Sequence, residues 1–529
     1  MDFKTQEINL ARSMQAQKQK KNWRIIVFGR RFTVILMLLL QFAFFFFLTW
    51  EGSRIFAVLH SALMVCGVLL SLFIIRGKAS SGYKLLWVFF ILAMPIFGVT
   101  FYFLIRGQGS TKKMRRLSKK VDVQRIEALQ TIAQSCQQGE KIALGAYERL
   151  ASYLQMHGGF SVSSHDRITY YKTGEIGFAA LLGDIEAAKK YIFLEYFIVD
   201  EGVLWNRILD VLLRKAAEGV EVRLMMDDMG CFMLKPRHFA RDMEKSGIKV
   251  CIFNRFRPFI TAIQNNRDHR KIAVIDGRIA HTGGANIADE YVNMRRRFGY
   301  WKDTMVRTEG PAAAEFAVMF LSLWDVSMQK DEAWDAYMPS FDEPLPKSDT
   351  YVLPFSESPH DKEPCCRNVF LSLIQNAQKS LYICTPYLMP DETLLDALVL
   401  AASSGVDVRI VVPYLADKKL VKMTGSTYFG ELISAGVRIY EYTPGFNHAK
   451  MMIADGKFGY VGSANFDYRS LFLHYECGLL AFGGEMTGML AKDFEDMFAS
   501  SAEVAAPKRR FNYLHSLWDQ LLRLLAPLM

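Results

Sequence analysis

HRKIAVIDGRIAHTGG (residues 269–284) and HAKMMIADGKFGYVGS (residues 448–463) are two versions of one pattern. Each opens on a histidine, places a lysine two residues later, and runs through apolar residues to an Asp-Gly pair before the apolar run resumes. Such a run, broken at a turn-forming dipeptide, predicts a β-hairpin with a tight turn. Glycine and asparagine then recur at the same offsets, Gly283 and Asn286 in the first copy and Gly462 and Asn465 in the second. A lone glycine–asparagine spacing carries no meaning. Its recurrence behind two His-x-Lys pairs points to a duplicated half-site.

Residues two apart on a strand share a face, so His269 with Lys271, and His448 with Lys450, can meet one cluster of phosphate oxygens. Two histidines brought together divide a displacement at phosphorus between them: one attacks, the other protonates the leaving oxygen, and the lysines neutralise the phosphate. Gly283 and Gly462 allow backbone amides close to a phosphate, and Asn286 and Asn465 can donate to its oxygens or begin a helix whose free amides favour anions. Asp276 and Asp455 close the motif and stand with the catalytic candidates, yet each precedes a glycine, and the turn-forming role is preferred. A nucleophilic histidine needs a carboxylate on its other ring nitrogen to fix the tautomer. Asp303 in GYWKDTMV and Glu476 in LHYECGLL are the candidates, both in short apolar surroundings that read as strands. His60, His157, His238, His281 and His515 lack the pattern and are read as structural.

Outward from the motifs the same order of elements also occurs twice. YIFLEYFIV (191–199), a helix ending at Gly219 and VEVRLMMDD (220–228) are matched by SLYICTPYLM (380–389), ETLLDALVLAASSG (392–405) and VDVRIVVPY (406–414). Strands alternating with helices predict an α/β chain with largely parallel sheets covered on both faces. The halves are expected over 141–335 and 365–505, with a Pro-, Asp-, Glu- and Ser-rich connector over 336–364.

The first hundred residues differ in kind. Three apolar runs, 32–50, 55–75 and 85–105, are each about the length that crosses a hydrocarbon core of roughly 30 Å. The region 32–105 is therefore read as transmembrane, with Pro95 and Gly98 marking the third run as a candidate re-entrant segment. A cleavable signal is disfavoured, because the first run exceeds an ordinary signal core and two more follow. Basic segments flank the region at 1–31 and 106–140, the latter leading into a helix. Residues 1–120 carry 19 Lys and Arg against Asp2, Glu7 and Glu51, a net of 19 − 3 = +16, so the rest of a chain with net charge +10 is at 10 − 16 = −6. The basic charge thus belongs beside anionic headgroups, and the mildly acidic remainder argues against nucleic acid as a partner. The tail 506–529 spaces leucines helically beside arginines, which suits either the bilayer interface or packing on the protein's own core. Eight cysteines without a zinc-like or paired spacing read as reduced thiols, and no metal is expected in the chemistry.

The paired motifs, together with PIFGVTFYFLIRG, LEYFIVDEG, GGAN, GYWKDT, TPYLMPDE, GSANFDYRS and the leucine-rich tail, resemble the phospholipase D superfamily and, within it, the bacterial cardiolipin synthases. The resemblance implies two phospholipase D-like α/β/α sandwich halves packed around one active site, preceded by transmembrane helices. It implies a metal-free, cofactor-free transfer of a phosphatidyl group between two phosphatidylglycerols, giving cardiolipin and glycerol, in a bacterial cell membrane of anionic lipids. An active site on the cytoplasmic side is expected. By resemblance His269 is the nucleophile, oriented by Asp303, and His448 the acid and base, oriented by Glu476, with the reverse assignment of the histidines open. Lys271, Lys450, Asn286 and Asn465 would bind phosphate. Ser463, which stands where the first copy has Gly284, would add one hydroxyl contact. A membrane phospholipase D, another phosphatidyltransferase and, more distantly, a tethered nuclease would use the same motif.

Overall fold

In the computed structural model the described residues are 54–77, 80–106, 112–135, 144–231, 238–255, 265–341, 346–361, 363–505 and 513–529, with a few positions between 36 and 46. They fall into two compact units, one holding the N-terminal 109 residues with two short later segments, the other the remainder.

In the N-terminal unit, helix α1 (Arg54–Ile75) is the one described helix long and apolar enough to cross a membrane. Thirteen of the nineteen positions of candidate run 32–50 lie outside the described residues. Run 85–105 is not a single span. It breaks at Met94 into α2 (Ser81–Ala93) and α3 (Pro95–Arg106), because proline cannot continue the ladder of α2 but fits the first position of a new helix. At 13 and 12 residues each arm is about 20 Å long, short of a bilayer core. The arms pack through Trp87 against Phe101 and Tyr102, with ring centroids 5.7 and 5.2 Å apart. Gly98 permits this approach, since a Cβ there would lie 2.5 Å from the Phe90 carbonyl oxygen. Gln41 Oε1 accepts from the Ile96 and Phe97 amides, satisfying two donors that the start of α3 leaves open.

The second unit begins with α4 (Lys112–Ser135), so the basic stretch after the apolar region is itself helical from Lys112. Two mixed sheets follow. The first comprises β1 (Arg167–Tyr171), β2 (Tyr191–Tyr196), β3 (Glu221–Asp227), β4 (Ile248–Phe253), β5 (Lys271–Ile275), β6 (Ile279–Gly283) and β8 (Met305–Glu309) in the order β1-β8-β6-β5-β2-β3-β4. Between β6 and β8 lies the short β7 (Tyr300–Lys302). The second sheet comprises β9 (Tyr351–Glu357), β10 (Ser380–Cys384), β11 (Asp407–Pro413), β12 (Arg438–Tyr442), β14 (Met451–Ala454), β15 (Phe458–Gly462), β16 (Glu476–Phe482) and β17 (Ser501–Glu503), in the order β17-β12-β11-β10-β14-β15-β16-β9. The connector expected over 336–364 therefore supplies an edge strand, β9, to the second sheet.

Within these two sheets parallel pairing is confined to β2-β3-β4 and β10-β11-β12, which corrects the expectation of largely parallel sheets. The cause is the motif hairpin itself, β5–β6 and β14–β15, which turns the chain back and makes the adjoining pairs antiparallel. Helix α5 (Pro311–Met328) is buried along most of its length, including Phe316, Phe320 and Trp324, and touches strands β5 and β6 of the first sheet and β9 of the second.

A third sheet joins the halves. Strand β7 pairs in parallel with β13 (Gly445–Asn447), matching Trp301 to Phe446 and Lys302 to Asn447. A bridge between Asp268 and Tyr475 does the same on the other side.

Candidate active site

Each motif histidine lies just ahead of its hairpin's first strand, at the seam where the third sheet and the Asp268–Tyr475 bridge tie the halves together. The His269 amide donates to the Tyr475 carbonyl at 3.0 Å and the His448 amide to the Lys302 carbonyl at 2.7 Å. Each histidine is thus held by backbone from the opposite half, one residue short of that half's acid.

This exchange corrects the expected orienting pairs. His269 Nδ1 lies 2.9 and 3.0 Å from the two carboxylate oxygens of Glu476, and His448 Nδ1 lies 2.6 Å from Asp303 Oδ2. Asp303 belongs with His448 and Glu476 with His269, because the strand segment carrying each acid pairs with the segment leading into the other half's histidine. Both acids are fully buried. Burial pushes Asp303 up to about 6, with the Lys450 ammonium, the Thr304 amide and the Lys271 and Lys302 charges holding it back.

Both imidazoles are held well below the ordinary histidine range. Burial is the main cause for each; the Lys271, Lys450, His448 and Lys418 charges add to it at His269, and Lys450, Lys271 and Lys418 at His448. Each ring feels the lysine of the other motif, so the two half-sites share one electrostatic space. Lys271 is itself lowered to about 7 and Lys450 to about 8, again chiefly by burial. Lys271 Nζ donates to the His269 carbonyl and Lys450 Nζ to that of His448. Lys450 also stands 2.7 Å from His448 Nδ1.

The remaining candidates divide. Asp276 and Asp455 sit at the far end of their hairpin strands from the histidines, at φ +54° and +53°. Asp276 accepts from the amides of Lys189, Lys190 and Tyr191, and Asp455 from those of Gln378, Lys379 and Ser380. They tie the turn to the segment that opens the neighbouring strand, β2 or β10, at the end of the hairpin away from the histidines. Gly283 and Gly462 serve close backbone approach to protein: a Cβ would lie 2.2 Å from the Thr304 oxygen and 2.5 Å from the Cys477 oxygen, each in the residue after an orienting acid.

Asn286 spans from the Ile198 amide (3.0 Å) to the Tyr291 hydroxyl (2.8 Å), so both ends of its amide have protein partners. Asn465 Nδ2 donates to Asp467 at 3.3 Å and its Oδ1 has no described partner. Neither asparagine begins a helix; the short helices nearby start at Asp289 and Tyr468, the second capped by Asp467. The Ser463 hydroxyl donates to Glu476 Oε2 and accepts from the Cys477 amide, which commits it to the acid rather than to a phosphate.

One neighbour escaped the sequence reading. The His474 ring lies 5.5 Å from that of His269, its Nδ1 3.7 Å from Glu476 Oε1, and burial drives it down to about 4. It stands two residues before Glu476, at a bend between the short helix Tyr468–Phe472 and β16. His281, read as structural, is buried on Asp184 at 2.6 Å. Six of the seven described cysteines are buried. Around His448 the Tyr291, Trp301 and Phe446 rings form a wall, at 5.5, 5.5 and 5.9 Å.

Two histidine–lysine pairs with exchanged carboxylates, on a duplicated mixed α/β scaffold, define a phospholipase D-like class of protein. The family described as "Cardiolipin synthase, PLD-like domain" matches residues 181–324 and 370–498, and that described as "Phospholipase_D-nuclease N-terminal" matches 67–107. The chain belongs to the PLD-like cardiolipin synthase family. It is 34% identical over 451 residues to a cardiolipin synthase of Alkalihalophilus pseudofirmus, covering 84% of this chain and 88% of that one. With a cardiolipin synthase of Geobacillus it shares 33% over 479 residues, covering 88% and 93%. An uncharacterised protein of Streptococcus mutans is 38% identical over 440 residues, covering 82% and 93%. The crystal structure of a phosphatidylserine synthase from Haemophilus influenzae shares the fold, with a TM-score of 0.53 at 16% identity over 72% of this chain and 98% of that one.

Proposed function

We propose that this protein is a membrane-anchored phosphatidyltransferase that joins two phosphatidylglycerols into cardiolipin and releases glycerol. The observation that carries the reading is the pair of buried histidines, each with its own carboxylate on Nδ1 and both within reach of Lys271 and Lys450. With Nδ1 committed, Nε2 is the nitrogen left to react.

His269 Nε2 attacks phosphorus of the donor lipid while His448 protonates the departing glycerol oxygen. The two lysines hold the phosphate and offset the charge that builds on its oxygens. In the free site burial, with the lysine charges adding to it, keeps both imidazoles neutral, which suits the nucleophile; an arriving phosphodiester brings the negative charge that lets His448 take up from solvent the proton it gives to the leaving oxygen. The second lipid's primary hydroxyl then attacks phosphorus. A P–O bond forms, the P–Nε2 bond breaks with its electron pair returning to His269, and the hydroxyl proton passes to His448. Rings around His448 keep water from competing for the intermediate.

In this reading α1 anchors the chain in the bacterial membrane and the α2–α3 hairpin enters the bilayer without crossing. Basic α4 and the site lie on the cytoplasmic side, and the two sheets are the sandwich halves around that one site. The test is to supply the purified full-length protein with phosphatidylglycerol vesicles and identify the products. Cardiolipin with an equal amount of glycerol is expected, and loss of at least about 10³-fold in His269→Ala and in His448→Ala. Phosphatidic acid as the sole lipid product refutes the assignment.

A further inference from the structure

Transfer between two phosphatidylglycerols requires a place for a second phosphate, and the motif lysines are occupied by the first. An open cleft lies between the end of β11 and the following helix α6 (Lys419–Ser426), lined in part by Leu388, Leu415, Val421, Phe429 and Phe446. It adjoins the reaction centre through Phe446, whose ring lines the cleft and lies 5.9 Å from the His448 imidazole.

The cleft's charged groups are not equivalent. Lys422 is engaged by Glu441 at 2.8 Å and by the Pro413 and Tyr414 carbonyls, and Asp417 accepts from the Tyr387 hydroxyl at 2.6 Å. Lys418 is exposed, lies over the Tyr387 ring at 4.9 Å, and forms no close ion pair among the described residues, though Asp467 also feels its charge. Its charge is felt by His269 and His448 alike. It is a third cation beside the site, and no step at the donor phosphate uses it.

Outside the cleft, α6 exposes Leu420 and Met423. Beside it docks the C-terminal helix α7 (Tyr513–Leu525), through Arg523 on Glu431 and the Thr427 carbonyl, with Leu522 buried and Leu517, Trp518 and Leu521 exposed. One face of the tail is thus packed on the protein's own fold, and the other turns apolar residues to solvent. An apolar rim beside an apolar cleft with one free cation fits the shape of a phospholipid, chains outward and phosphate inward.

We infer that this cleft is the binding site of the acceptor, a second anionic phospholipid with a free headgroup hydroxyl, and that Lys418 takes its phosphate. Three headgroup carbons then carry the acceptor's terminal hydroxyl from Lys418 toward the phosphorus held on His269. The assignment rests on the transferase reading above, and makes Lys418 a determinant of which alcohol completes the reaction.

The experiment supplies phosphatidylglycerol vesicles and, as a competing acceptor without phosphate, 1-butanol, and measures the ratio of cardiolipin to phosphatidylbutanol. Lys418→Gln is expected to lower that ratio by about tenfold or more, the effect of losing a hydrogen bond to a charged group, and Lys418→Arg to keep most of it. An unmoved ratio in Lys418→Gln, in protein whose wild type makes cardiolipin, overturns the acceptor site alone. Wild-type protein that transfers to butanol and makes no cardiolipin overturns the functional reading and the site with it. A third acceptor, sn-glycerol 3-phosphate, carries the phosphate without chains; its use in preference to the lipid would make the cleft a site for a soluble phosphate and overturn the lipid occupant.

Discussion

The two motif histidines stand on the same hairpin scaffold over different ground. Ile192 pairs with Ile275 and Leu381 with Ala454, each the residue before a motif aspartate, so Glu195 in the first half corresponds to Cys384 in the second. Behind His269 lie charges: Arg270 Nε meets Glu195 at 2.6 Å and Asp268 at 3.6 Å, and Asp227 accepts from the Asp268 amide with Arg267 at 3.4 Å. At the corresponding places around His448 stand Asn447, Ala449 and Cys384, with aromatic rings for a wall. Duplication preserved the frame and the reacting groups while their support diverged. Both imidazoles are buried, one with ions behind it and the other with uncharged residues and a larger set of aromatic rings, which suits a fixed nucleophile and a proton carrier that must meet two different alcohols.

The exchange of acids gives the strongest way to break that comparison. Glu476→Gln and Asp303→Asn should each slow cardiolipin formation by roughly 10²–10⁴-fold, the range of positioned acid–base groups. Their effects should separate on a phosphatidyl ester of p-nitrophenol, a leaving group that needs no proton. The p-nitrophenol burst should survive Asp303→Asn and collapse in Glu476→Gln. The opposite order would exchange the roles of the two histidines; equal effects would dissolve the distinction.

The buried ions behind His269 can be tested by making the first half like the second. Arg270→Ala leaves Glu195 buried without its partner and should cost about 3–5 kcal/mol in the unfolding transition of the purified protein. Adding Glu195→Cys reproduces the Ala449–Cys384 arrangement and should recover most of the loss, since replacing both members of a buried pair by apolar groups is often neutral. A double variant no more stable than Arg270→Ala would show that the ion pair is not a separable unit.

Acidity sharpens the comparison less steeply. Burial disfavours the ammonium form, so Lys271, lowered to about 7, and Lys450, lowered to about 8, lose their charge as pH rises through those values. The free enzyme then loses its grip on an anionic lipid, and kcat/KM for phosphatidylglycerol should fall by about tenfold per pH unit above 8, with kcat less affected because bound phosphate restores the charge. Both imidazoles remain neutral well below 6.5, so the acid limb of kcat/KM should lie below the ordinary histidine range. An acid limb at the ordinary value would mean that the lysines do not share the histidines' field.

What was legible in the sequence was local. The i, i+2 spacing placed each lysine beside its histidine, Asp-Gly placed both hairpin turns, and Pro95 marked the break between α2 and α3. The acids were found as residues but assigned to the wrong histidines. That choice depends on which strand edges meet across the halves, β7 with β13 and Asp268 with Tyr475, contacts 145 to 207 residues apart in the chain that no local pattern encodes. The parallel sheets failed for a related reason: each hairpin obeyed its own turn and reversed the strand order around it. His474 was not legible, because it sits at a bend ahead of β16, where the same-face rule for strands does not reach.

The smallest difference between the halves is one hydroxyl. Ser463 supports Glu476 and is tied in turn to the Cys477 amide, whereas Gly284 leaves no room for a side chain, because a Cβ there would lie 2.1 Å from Asp303 Oδ1. Asp303 instead takes the Thr304 amide at 2.9 Å. Ser463→Gly therefore copies the first half into the second without crowding anything, and removes one donor from a carboxylate that still has His269. The expected loss is about 0.5–1.5 kcal/mol, a few-fold to roughly tenfold in kcat, the ordinary net value of a hydrogen bond. It should appear in the p-nitrophenol burst, because Glu476 acts through the attacking histidine. A loss confined to the later step, release of the phosphatidyl group to the acceptor, would place the hydroxyl's influence on His448 and remove this last distinction between the halves.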